Sequence, residues 1–185
     1  MSNYELVRLD AEGMPMKAIY PTIEHHQVPE MIGELDYEAR PLNRFGFNYF
    51  GMLRARLLAL WGAEVITSSQ LGKMLSAVAE GNLGANPFQD SSETEANDET
   101  VIEMITTLKE VNAFLLNCDV DWVKPFHNSD GYADERMCRQ FAAYLLNAIT
   151  TLRQETARML SDEQLDSYED LVDFLTASPN GIGVL

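Results

Sequence analysis

At 185 residues, 46% of them apolar, the chain can build one hydrophobic core or at most two small ones, which excludes wholesale disorder. Its formal net charge of −16 repels phosphate and disfavours direct binding to DNA, RNA or an anionic membrane. Two cysteines in a chain of this length make no disulfide framework, so Cys118 and Cys138 read as small apolar residues in a reducing compartment.

The charge is uneven. Residues 1–73 carry nine acids and seven bases, residues 74–118 eight acids and one base, and residues 119–185 twelve acids and five bases. The acidity therefore belongs to the C-terminal two thirds. Such a field keeps a protein soluble, and it also draws in a basic protein surface at long range and low salt. The N-terminus shows no apolar signal-peptide core, and no run approaches the roughly 18 apolar residues of a membrane span. A cytoplasmic protein is expected, in the host cytoplasm if the chain is phage-encoded.

Residues 4–20, YELVRLDAEGMPMKAIY, predict a strand, a turn and a second strand. Glu5, Val7 and Leu9 alternate with Leu6 and Arg8, and Gly13 suits the turn. Pro15 removes a ladder donor, so the second arm belongs on an edge or starts late. An isolated hairpin is marginal in water. It must pack on helices or pair with a further strand, from this chain or from a partner. Next, Pro29 fits the first turn of a short helix, and Pro41 closes that segment.

Residues 42–61, LNRFGFNYFGMLRARLLALW, predict the most apolar helix. Phe47, Phe50, Leu53, Leu57 and Leu60 recur at helical spacing with Trp61 beside them. Gly46 and Gly51 cost it about 1 kcal/mol each and suggest close packing against another backbone. This helix is expected at the centre of the fold or along an interface. Thr67 with Gln70 forms a capping box for a second helix, with Leu71, Met74, Leu75 and Val78 on its stripe and Gly81 at its end.

NPFQDSSETEANDETVIEM, residues 86–104, carries six carboxylates and no base. Its later part is ordinary chemistry for a helix N-terminus, because Val101, Met104, Ile105, Leu108, Val111 and Leu115 follow on one face. Only residues 90–95 need another account, for which a solvated loop is the default. Residues 118–135 form a connector, where Pro125 forbids a continuous helix and Asn128 to Gly131 is turn chemistry. A long helix is expected over residues 134–160, burying Met137, Phe141, Tyr144, Leu145, Ala148, Leu152 and Met159, with Cys138 opposite much of that stripe. Ser161 with Gln164 caps a last helix that buries Leu165, Tyr168, Val172 and Leu175. Pro179 and Gly181 end it, and an apolar tail, IGVL, remains.

The expected fold is mainly α: a bundle-like single domain of about five main helices with a small N-terminal β hairpin. Residues 1–23 would form the hairpin and an extended arm, and residues 24–185 the helical domain, with an acidic loop at 82–98.

Chemistry is sparsely signalled. His25 and His26 sit beside Glu24, but adjacent side chains on an extended chain point to opposite faces, and no paired metal-ligand spacing occurs. Cys118, His127 and Cys138 match no zinc signature and read as packing residues. Neither DVDW nor NSDGYADE meets the calcium-loop pattern of oxygen ligands at alternate positions closed by a final glutamate, and both read as turns. Phosphate-cradling and nucleophile-elbow motifs are absent from the sequence. A helix-turn-helix reading of residues 44–80 fails because Lys73 is the only cation on its second helix. Trp122 and Phe126 flank Lys124-Pro125, and they are either interface anchors or the lid of a small core.

No catalysis, cofactor or metal is expected. The leading expectation is an acidic interaction protein that presents carboxylates to a basic protein surface, in its sharpest form a nucleic-acid-mimicking inhibitor of a nucleic-acid-binding complex, of the phage anti-defence type. Asp90, Glu93, Glu95, Asp98 and Glu99, with Asp162, Glu163, Asp166, Glu169, Asp170 and Asp173, would stand in for phosphates, and Trp122 would anchor the contact. The alternative is a structural or assembly subunit, a virion or adaptor component, that uses the hairpin and the apolar helix for oligomer contacts.

Overall fold

A computed structural model describes residues 3–19, 41–84, 99–127, 131–155 and 159–185. In chain order the elements are β1 (Asn3–Arg8), β2 (Arg44–Asn48), α1 (Tyr49–Gly62), α2 (Ser68–Gly84) and α3 (Glu99–Asn117). A 3-10 turn (Lys124–His127), β3 (Tyr132–Ala133), α4 (Glu135–Gln154), α5 (Asp162–Thr176) and β4 (Ile182–Val184) follow. The protein is thus mostly helical, with a small antiparallel sheet of order β2-β1-β4-β3.

The N-terminal hairpin expected from the sequence is reduced to a turn and a single bridge, Leu9 to Pro15. A strand has two edges, and both edges of β1 are taken, one by β2 and the other by β4. Pro15 could not extend a ladder in any case. The turn itself is held by Asp10, whose Oδ1 accepts from the amides of Glu12 and Met14 at 3.1 and 2.8 Å. The apolar tail is therefore a strand, β4, inserted between β1 and β3, so the two ends of the chain meet in one sheet. Gly181 enters it at φ +84, pressed against the Ala133 backbone. The boundary at residue 23 lies outside the described residues.

Residues 44–48 form a strand instead of the first turns of a helix. Phe45 and Phe47 fit either period. Pairing with β1 decides it, together with ring contacts to α5: Phe45 with Phe174 at 5.6 Å and Phe47 with Tyr168 at 5.5 Å. Asn48 then caps α1, its side chain accepting from the Gly51 amide at 2.6 Å.

α1 is largely apolar and buried on nearly every side. From 50 to 60, every residue except Arg54 is buried. It packs between α2 and α4. Gly62, rather than Gly46, makes the close approach: a Cβ there would run into the Tyr144 carbonyl, whereas one at Gly46 would meet open space. α1 closes on Glu64 at φ 59, with the Val65 amide bonded to the Leu60 carbonyl at 2.9 Å.

The Thr67–Gln70 capping box forms, and Leu71, Leu75 and Val78 are buried. Gly81 does not end α2, which runs on to Gly84, since glycine lowers helix propensity without forbidding helix. On α3, Leu108, Val111 and Leu115 are buried as expected; the side chains of Val101, Met104 and Ile105 lie outside the description.

α4 stops at Gln154, with Glu155 extended, so the expected run to residue 160 is too long, and Met159 is 46% exposed rather than buried. Cys138 is not opposite the stripe but on it: with Phe141, Leu145, Ala148 and Leu152 it repeats at three- and four-residue spacing, and all are buried. α5 has the complete Ser161–Gln164 box and buries Leu165, Tyr168, Val172 and Leu175, with Leu171 and Phe174 added.

Candidate functional site

The geometry of α5 follows from its sequence. With its apolar positions turned to α4, α1 and β2, its other face falls to Glu163, Asp166, Asp170 and Asp173, spaced three, four and three residues apart and all exposed. Asp162 and Glu169 flank this stripe toward α4.

One cation serves three of these carboxylates. Arg153 of α4 reaches Asp166 at 2.6 Å, Glu169 at 3.1 Å and Asp162 at 3.7 Å. The hydrogen bonds to Asp166 and then Glu169 hold its guanidinium above its ordinary pKa. Among the described residues no ion pair reaches Glu163, Asp170 or Asp173.

In the connector and at the start of α4, three acids each meet one base. Lys124 meets Asp119 at 3.2 Å, Arg136 meets Asp121 at 2.7 Å, and Arg139 meets Glu135 at 2.6 Å. The hydrogen bond from Arg136 holds the Asp121 carboxyl below the usual range. These pairs offset part of the charge of the connector and the start of α4, while α5 carries a larger surplus of negative charge.

The structure brings together six of the carboxylates singled out in the sequence: Asp162, Glu163, Asp166, Glu169, Asp170 and Asp173. Asp90, Glu93, Glu95 and Asp98 lie outside the described residues, and Glu99 opens α3 with its side chain outside the description. Trp122 does not belong to the surface. It is 6% exposed, edge-on to Phe141 at 6.0 Å and tilted on Tyr144 at 5.0 Å. Phe126 is buried on Phe141 at 4.3 Å. The turn around Pro125 brings both rings onto α4, so the lid reading holds and the anchor reading is corrected.

Sequence reasoning missed Arg56. It is 1% exposed in the middle of α1. Its guanidinium donates to the Leu115 carbonyl at 3.3 Å, near the C-terminal end of α3, where the helix dipole favours a cation. It also lies 3.0 Å from Nδ1 of His127. Arginine can only donate, so Nδ1 accepts and the neutral imidazole carries its proton on Nε2. Burial first, and then Arg56, push His127 below its ordinary pKa. The signal in the sequence was a cation at a core position of a largely apolar helix, which demands acceptors from elsewhere.

Neither thiol is primed for nucleophilic attack. Burial pushes the Cys118 thiol up, and burial followed by Asp134 pushes Cys138 up to about 12. His25 and His26 lie outside the described residues. Among the described residues, no group of three His, Cys, Asp or Glu could hold a metal ion, and no helix is long and apolar enough to cross a membrane.

No protein-family model, curated protein or solved structure matches this chain.

Proposed function

We propose that this chain is a non-enzymatic interaction protein whose α5 face docks on a basic protein surface. The observation that carries the reading is the imbalance at α5: of its six carboxylates, Arg153 meets Asp162, Asp166 and Glu169, and among the described residues no ion pair reaches Glu163, Asp170 or Asp173.

Charge density supports the sharper form of the proposal, an inhibitor that occupies a nucleic-acid-binding surface. The 11 steps from Asp162 to Asp173 rise about 16 Å along the helix. Counted over the described residues, six carboxylates less the guanidinium of Arg153 leave about one negative charge per 3.3 Å, against about 3.4 Å for one strand of duplex DNA. A rigid helix presents these charges without the ordering cost that a flexible acidic tail would incur. The partner class is a protein with a phosphate-binding groove, such as a nucleic-acid-guided defence complex that a phage would need to disarm.

The features that suggested an assembly subunit find their contacts within the chain. β1 has β2 and β4 on its two edges, and α1 lies between α2 and α4.

The test is capture by the tagged protein from nuclease-treated extract of its own cells, followed by competition. The proposal expects the captured protein to bind nucleic acid and to be displaced from this chain by that nucleic acid. Simultaneous binding of both ligands to the captured protein would overturn the mimic.

A further inference from the structure

We draw no further inference here: the strongest candidate, the Arg56–His127 pair buried between α1, the end of α3 and the 3-10 turn, rests for its switching on the titration of one imidazole alone, too little to move a connector that also buries Trp122, Val123 and Phe126.

Discussion

Replacing Gly62 by alanine sets two effects of known sign against each other. Gly62 is the last residue of α1, and helix propensity alone would favour alanine there by up to about 1 kcal/mol. The added Cβ, however, would run into the Tyr144 carbonyl and crowd the Ala148 amide, both of them backbone atoms of α4. Backbone in the middle of a helix cannot rotate aside as a side chain can, so α1 and α4 must separate. Overpacking of this kind costs about 1–3 kcal/mol, and more where backbone must shift, so it exceeds the propensity gain. Gly72, in the middle of α2, is the control. Its Cβ would meet only the Met159 Sδ, at an ordinary 3.9 Å, so the propensity term acts nearly alone. Gly62→Ala should therefore lower the melting temperature by roughly 3–8 °C and Gly72→Ala should raise it by roughly 1–4 °C, from about 2–4 °C per kcal/mol at this size. Urea and thermal unfolding followed by far-ultraviolet circular dichroism would measure both. A Gly62→Ala protein as stable as wild type would refute the close α1–α4 approach. A destabilised Gly72→Ala would refute the open setting given to α2.

Glu64 holds a left-handed conformation at φ 59, which glycine adopts at no steric cost, so Glu64→Gly should stabilise by about 0.5–1 kcal/mol in urea melts, and a loss would contradict the helix-end geometry. His127 should titrate below the ordinary 6.5 in a proton NMR titration. Because its folded pKa is depressed, its contribution to stability is fully present above 6.5 and is lost as pH falls through the folded value. The stability gap between wild type and His127→Gln should thus shrink as pH falls from neutral to below 6.5, and a His127 that titrated above 6.5 would show that Nδ1 is not held as an acceptor. Cys118 and Cys138 should resist a thiol reagent in the native protein at pH 8 and both react in urea, since burial disfavours their thiolates; fast native labelling of Cys138 would contradict its place in the core.

Local chemistry was readable wherever one segment of chain determined the outcome. Thr67 with Gln70 and Ser161 with Gln164 announced two helix starts, and both boxes form. The α5 stripe was equally plain, because Leu165, Tyr168, Val172 and Leu175 are spaced for one face whatever they pack against. Sequence reading failed where distant segments decide. Arg44 to Asn48 became strand because β1 offered it an edge and α5 offered rings to Phe45 and Phe47. The tail became β4 because β1 and β3 lie on either side of it. Trp122 was ambiguous because only the path of the turn sets whether its ring meets solvent or Phe141. For the candidate site, the acids of α5 were legible as a face, but their sharing of Arg153 across 16 residues of sequence separation was not.

The central claim is that surplus negative charge on α5 drives recognition. Its most direct measurement is the affinity for the captured protein as a function of sodium chloride, for wild type and for a Glu163→Lys, Asp170→Lys, Asp173→Lys variant, which leaves the Arg153 cluster intact. Far-ultraviolet circular dichroism would first confirm that the variant is folded. The account predicts wild-type affinity that falls steadily from 50 to 500 mM salt, and at low salt a loss of at least about tenfold in the variant with a flatter salt dependence. Equal affinity of the two proteins, unchanged in half-molar salt, would contradict it.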